Sequence, residues 1–256
     1  MPATDLPLLI DAALAAGQIA LRHWRADPAR RDKPDGSPVS DADDEVDGHL
    51  RRALTRARPA YGWLSEETAD DPARLSAEHC FVVDPIDGTR AFLEGRRTWA
   101  VSIAVAAAGR PTAGVVYLPA HDRLFAAAAG QGATLNGGAL AVSGAASVSG
   151  ATVLATRANL APEHWQGGTP DVSRQFRPSM AYRLALVAEG RFDAMLTLKD
   201  AWEWDIAAGA LIAAEAGAAV TDRHGAPLRF NTPGRQTPGI LAAGPPLHAA
   251  LLDRLG

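Results

Sequence analysis

The sequence of 256 residues predicts a protein of mixed α+β and α/β character in two subdomains, 1–145 and 146–256. Three observations carry this reading. Two amphipathic helical segments open the chain, and a run of β-rich segments with glycine turns then reads as an antiparallel meander. Beyond the small, polar stretch Ser143 to Ser149, strand-like and helix-like segments alternate.

Leu6, Leu9, Ile10, Ala13, Leu14, Gly17, Leu21 and Trp24 recur at helical spacing, with Thr4 as the cap. The turn-rich segment Arg30 to Pro38 has no periodicity and predicts a mobile loop that carries Lys33. A second helix is predicted from Ser40, with Asp43 in a capping-box relation and Val46, Leu50, Leu54 and Ala57 on one side. Taken alone, Asp43 reads as a partner of the helix dipole.

Tyr61 to Ser65 is a predicted strand running into Glu66 and Glu67, and Cys80 to Val83 a second running into Asp84. Acids at the C-terminal ends of strands are how α/β sheets commonly build sites. Ala100–Ala107, Ala113–Tyr117, Leu124–Ala128 and Ala133–Leu135 form the meander. In the second part, Thr152–Thr156, Ala194–Leu198, Ala219–Thr221 and Ile240–Ala243 are predicted strands. Ser179–Glu189, Ile206–Ala216 and Leu247–Leu255 are predicted helices. Asp205 sits where the middle helix opens, a position that by itself suits a cap.

Composition narrows the function. Lys plus Arg number 25 against 29 Asp plus Glu, a formal charge of −4, which gives no electrostatic basis for binding bulk nucleic acid. An anionic substrate must be held locally. The single cysteine, Cys80, cannot form an intrachain disulfide and is expected to be a buried strand thiol, as suits a reducing cytoplasm. The N-terminus has no basic segment before an apolar core, and no apolar run approaches the roughly 20 residues that span a bilayer. A cytoplasmic, non-membrane protein is therefore expected.

The chemistry centres on Asp84-Pro85-Ile86-Asp87-Gly88-Thr89. An apolar strand ends in an acid, a second acid follows three residues later, and proline and glycine bend the backbone so that the carboxylates converge. Hard divalent cations take such oxygen ligands, and Mg²⁺ in particular is held by a few carboxylates plus substrate phosphate. Glu66, Asp205 and Asp43 are the further acids available.

This set resembles the signatures of the inositol monophosphatase superfamily, the magnesium-dependent, lithium-sensitive phosphomonoesterases, over nearly the whole chain. The DPIDGT run matches the first signature, and Trp204-Asp205-Ile206-Ala207-Ala208-Gly209 through Glu215-Ala216-Gly217 matches the second. Ser65-Glu66-Glu67 and Ser37 to Asp43 also fit. The resemblance implies a layered αβαβα sandwich with the metal site between the subdomains, and homodimers are common among such proteins. It implies two or three Mg²⁺ ions: one on Glu66, Asp84 and the Ile86 carbonyl, another on Asp84, Asp87 and Asp205, and a third touching Glu66. Two such ions clamp the attacking and leaving oxygens of an in-line displacement and activate water as the nucleophile. Thr89, paired with Asp43, would orient or deprotonate that water. The backbone N–H groups of Gly88 and Thr89 would take phosphate oxygens, and Lys33 would either close over the site or stay a solvated loop lysine.

The substrate is implied less directly. Inositol phosphatases resemble one another in carrying Glu, and 3'(2'),5'-bisphosphate nucleotidases Arg, at a position that counting from Gly190 places at Thr197. Glu203-Trp204-Asp205 and Arg183 look more like the nucleotidases, and Lys199 could supply a cation. Asp87, Gly88, Thr89, Arg183 and Asp205 are therefore the candidate substrate-binding residues for a small phosphorylated metabolite. Bisphosphate nucleotidase is the leading reading, with inositol-1-phosphatase as the alternative, followed by fructose-1,6-bisphosphatase and histidinol-phosphatase. Trp202 and Trp204 are read as packing aromatics before base-stacking ones. A haloacid-dehalogenase-type phosphatase would need one residue, not two, between its acids. A catalytically silent metal- or anion-binding regulator is the reading from a different class.

Overall fold

The computed structural model describes residues 5–34 and 36–256. The proposed cap Thr4 lies outside them. Helix α1 (Leu6–His23) and helix α2 (Asp41–Ala57) lie together on one face of a seven-stranded sheet. The inward side of α1 is made of Leu9, Ala12, Ala13, Ala16, Ile19 and Ala20, while Leu14, expected inside, is 39% exposed. The alanines bring the helix close to the sheet, so the true apolar stripe is narrower than the large residues suggested. In α2 the expected side is buried at Val46, Leu50 and Leu54, but Ala57 at the last turn is exposed.

The segment expected as a loop is a short antiparallel hairpin, β1 (Arg30–Asp32) and β2 (Pro38–Ser40). The sheet follows as β3 (Gly62–Ser65), β4 (His79–Asp87), β5 (Ala100–Ala107), β6 (Arg110–Leu118), β7 (Arg123–Ala128), β8 (Ala133–Leu135) and β9 (Gly138–Ala139), neighbours in that order. Only β3 and β4 are parallel, and the remainder is the expected meander. Cys80 is buried in β4, where burial pushes its thiol up to about 12. The short helix α3 (Thr89–Leu93) follows β4 directly.

A second sheet orders β11 (Ser173–Gln175), β10 (Thr152–Leu154), β12 (Ala194–Thr197), β16 (Ile240–Ala243) and β14 (Ala219–Thr221). Strand β10 is parallel to both neighbours, and β16 is antiparallel to both of its own. Helices α4 (Met180–Ala188) and α5 (Glu203–Glu215) fill the space between the two sheets, and α6 (Pro245–Leu252) covers the outer face of the second. The result is the five-layer αβαβα sandwich. Its central core joins Val82, Ala104 and Val116 of the first sheet to Leu184, Ile206 and Ile212 of the helices and Met195 and Ala242 of the second sheet. Helix α5 approaches β6 so closely that a Cβ at Gly114 would lie 3.0 Å from Ala208 Cα. This contact brings the first turn of α5 to the end of β4. A ribbon of β13 (Ala201–Trp202) and β15 (Gln236–Thr237) leads into that turn. No described helix is long and apolar enough to cross a membrane.

Candidate active site

Strand β4 continues to Asp87 instead of stopping at Asp84, and its pairing with β5 explains how both acids serve one site. Asp84 faces Ser102 and Asp87 faces Ala100, so three residues of β4 span two of β5. Side chains three apart on a regular strand point to opposite faces. One extra residue, at the Pro85-Ile86 bulge, restores the parity, and proline is tolerated there because the ladder bond is already interrupted. Asp84 then turns back on the bulge and accepts from the Ile86 N–H at 3.0 Å.

Glu66 follows β3, and its N–H donates to the Val83 carbonyl at 3.2 Å, which holds it beside Asp84. Asp205 lies inside the first turn of α5, not at its cap, which is Trp202. Glu66, Asp84 and Asp205 each offer a carboxylate oxygen within 4.8 Å of the others. These hard oxygen donors suit a divalent cation. Burial, and after it the charges of Glu66, Asp87, Asp205 and Asp43, hold Asp84 well above the usual carboxylate range. Burial followed by Asp87 and Glu66 does the same to Asp205, against Arg183 and Lys33. A cation at this point would relieve that repulsion, so the residues present fit Mg²⁺.

Asp87 stands apart from this trio. Its carboxylate accepts from Ser179 Oγ at 2.6 Å, Ala181 N at 2.6 Å and Met180 N at 3.1 Å, so it satisfies the N-terminus of α4. Burial raises its pKa, while these bonds and Arg183 pull it down. The structure therefore joins Asp87 to Asp84 electrostatically and commits its oxygens to α4. Ser179, placed in the sequence at the start of a helix, was missed as a site residue.

Thr89 opens α3 after Gly88, which has φ of +98° and would carry a Cβ 3.3 Å from the Thr98 carbonyl. Only glycine adopts that turn without strain. The Thr89 hydroxyl lies 3.1 Å from the Ile86 carbonyl and 3.4 Å from Asp43 Oδ1. Asp43 Oδ2 accepts from Ser40 N at 2.8 Å and Ser40 Oγ at 2.7 Å, the reciprocal half of the predicted capping box. Both roles read for Asp43, helix cap and partner of Thr89, are present in one side chain. Burial pushes its carboxyl up to about 6, with Ser40 opposing and Glu66 adding to the shift.

Lys33 reaches in from the hairpin and donates to Glu66 Oε1 at 2.8 Å and Glu67 Oε1 at 2.6 Å. Burial disfavours its charge, but the two glutamates more than offset this and its pKa is raised. Glu67, which the sequence singled out only as the neighbour of Glu66, is pushed up to about 7, mainly by burial. Arg183 is 5% exposed, donates through Nε and Nη2 to the Arg177 and Pro178 carbonyls, and lies over Phe176. Burial lowers its pKa while Asp87 and Asp205 support its charge. Thr197 ends β12 and is buried. Trp202 and Trp204 stack at 4.7 Å, with Arg235 over Trp202, which favours the packing role for both.

Comparison with known proteins places this geometry. Residues 3–254 match the sequence model of the inositol monophosphatase family. The chain is 34% identical over 235 residues to an inositol-1-monophosphatase of Mesorhizobium japonicum, covering 86% of each. It is 33% identical to a histidinol-phosphatase of Mycobacterium tuberculosis, covering 98% of this chain and 97% of the other. Among solved structures, the extragenic suppressor protein suhB from Bartonella henselae superposes with a TM-score of 0.83 at 28% identity, over 98% of this chain and 97% of that one.

Proposed function

The chain belongs to the inositol monophosphatase family, whose members are phosphoric monoester hydrolases, and on that premise we propose that it uses Mg²⁺ to hydrolyse a small phosphorylated metabolite bearing a second anionic group, with 3'(2'),5'-bisphosphate nucleotidase as the specific activity. The observation that carries the metal-dependent reading is the convergence of Glu66, Asp84 and Asp205. These three would hold the cation, with the Ile86 carbonyl and Asp87 as further candidate ligands. Bound there, Mg²⁺ lowers the pKa of water and offsets charge on the phosphoryl oxygens.

The chain's own groups account for the proton. Thr89 Oγ1 lies between the Ile86 carbonyl and Asp43. In the proposed step the Thr89 oxygen takes a proton from the attacking water as its own proton passes to Asp43 Oδ1. Ser40 fixes Asp43 for that transfer through two bonds to the other oxygen. The N–H groups of Gly88 and Thr89 are assigned to phosphate oxygens. Lys33 bridges Glu66 and Glu67 and thereby draws the hairpin over the acids.

Arg183 supports the nucleotidase reading. Two of its donors are spent on backbone carbonyls, and Nη1 has no hydrogen-bond acceptor among the described residues, so it is available to a second phosphate. The second reading, inositol 1-phosphate, draws support from relatives named for that activity. Thr197 supplies neither a carboxylate nor a cation. Phosphate release from adenosine 3',5'-bisphosphate, inositol 1-phosphate, fructose 1,6-bisphosphate and histidinol phosphate, with Mg²⁺ and with EDTA, separates these by kcat/KM. A preference for the nucleotide is expected. Preference for inositol 1-phosphate would overturn the specific assignment, and no Mg²⁺-dependent release from any of them would favour the silent regulator.

A further inference from the structure

Helix α2 buries a second acid one turn beyond Asp43. Asp47 is 7% exposed and accepts from Ser65 Oγ through Oδ1 at 2.5 Å and from Thr68 Oγ1 through Oδ2 at 2.6 Å. Ser65 and Thr68 bracket Glu66 and Glu67, so the two glutamates hang between two hydroxyls held by one carboxylate. Ser65 Oγ also accepts from the Glu67 N–H at 3.4 Å, and Thr68 Oγ1 accepts from the Trp63 indole N–H at 3.2 Å. Beyond β3, the Glu66 backbone keeps a single sheet-like bond, to Val83.

From this geometry we propose that Asp47 is a positioning residue, whose two-oxygen clamp on Ser65 and Thr68 aims the Glu66 carboxylate at the cation. The inference rests on the reading of Glu66 as a metal ligand. Two hydroxyl donors need two acceptors in a fixed fork, which a carboxylate offers and an amide only half supplies. Among the described residues, Asp47 has no cationic partner. Burying a charge against two neutral hydroxyls is a costly way to hold a loop, because a neutral acceptor avoids the desolvation. What the charge adds is short, strong bonds, and therefore a narrower range of Glu66 positions. Partners of this kind typically change metal affinity by about 10–100-fold when removed. The spacing of four residues on α2 gives the arrangement a second meaning. One helix sets both the partner of Thr89 and the support of Glu66, and Val46 and Leu50 anchor that helix in the core.

The test is isothermal titration of the full-length protein with Mg²⁺ alone, beside denaturant unfolding in EDTA, for wild type, Glu66→Gln, Asp47→Asn, Asp47→Ala and the pair Ser65→Ala/Thr68→Val. Wild type is expected to bind and Glu66→Gln to bind more weakly. Asp47→Ala should raise the Mg²⁺ Kd about 10–100-fold, with Asp47→Asn between it and wild type. Adding Asp47→Ala to the Ser65/Thr68 pair should change the Kd no further. In assays, kcat should recover at saturating Mg²⁺ while the Mg²⁺ requirement rises. A wild-type Kd in the Asp47 variants, whatever their stability, would overturn the inference, as would effects that add to those of the hydroxyl pair. Glu66→Gln binding Mg²⁺ like wild type would instead sink the ligand reading beneath it. If Asp47→Ala does not fold, Asp47→Asn and the hydroxyl pair decide the question alone.

Discussion

Replacing Asp43 by Asn separates what this carboxylate does for chemistry from what it does to stability. Its pKa is raised from 3.8 to about 6. The folded state therefore binds more protons than the unfolded chain between those values, and unfolding free energy falls as pH rises through that window. The group leaves stability unaffected below pH 3.8 and weighs against the folded state by about 3 kcal/mol above pH 6. By the same relation the penalty at pH 5 is roughly half that at pH 8, a difference of about 1 kcal/mol. Asn does not titrate and retains an acceptor for the Ser40 cap, so its absolute effect mixes a weaker cap with a relieved charge. The pH-dependent part isolates the charge. Urea unfolding in EDTA at pH 5 and pH 8 should show the variant's stability relative to wild type rising by about 1 kcal/mol between the two. Turnover should meanwhile fall by about 10²–10⁴, as expected for removing a proton acceptor. An identical stability difference at both pH values would refute the burial argument for Asp43, and near-normal turnover would refute its role toward Thr89.

Asp84→Asn removes the most crowded charge of the trio, so the melting temperature in EDTA should rise while the Mg²⁺-induced increase in thermal scans disappears. Lys33→Met removes the ammonium from Glu66 and Glu67, and titration should show tighter Mg²⁺ binding together with faster proteolysis of the 30–40 hairpin; unchanged affinity would mean that Lys33 and the metal do not compete. Gly88→Ala forces a side chain into φ of +98° against the Thr98 carbonyl, and should cost about 1–3 kcal/mol in denaturant unfolding.

The main helices, the meander and the acids were legible in the sequence because each rests on a local signal, whereas the layer order came only from the family resemblance. The meander strands are apolar runs between glycine turns, and the α2 cap is visible in the spacing of Ser40 and Asp43. The β1–β2 hairpin was not legible, because three exposed residues, Arg30–Asp32, show no alternation against a buried face. Strand β11 escaped for the same reason, since Ser173 and Gln175 are exposed. The continuation of β4 was hidden by Pro85, which reads as a breaker until β5 supplies the register that makes it a bulge. Asp87 was legible as an acid of the candidate site, but its bonds to Ser179, Met180 and Ala181 depend on how α4 meets the first sheet, a relation that no local pattern encodes.

Those bonds also explain why the site sits at the junction of the two sheets. Asp87 is held by the start of α4 and Asp205 by the start of α5, while Glu66 and Asp84 belong to the parallel pair β3–β4. Lys33 opposes the raised pKa values of Asp43, Glu67 and Asp205, and Arg183 those of Asp87 and Asp205. The excess of negative charge opposes close contact between the parts that carry it. Helix N-terminal N–H groups answer it at Asp87, an ammonium answers it at Glu66 and Glu67, and Arg183 and Lys33 only partly offset it at Asp205, while at Asp84 burial and the neighbouring acids act without a basic counterpart. That remainder falls on Asp84 and Asp205, two of the three residues whose oxygens converge within 4.8 Å. A divalent cation there would complete the electrostatics of the fold and of the reaction at the same point, so its binding should stabilise the junction as it prepares the site.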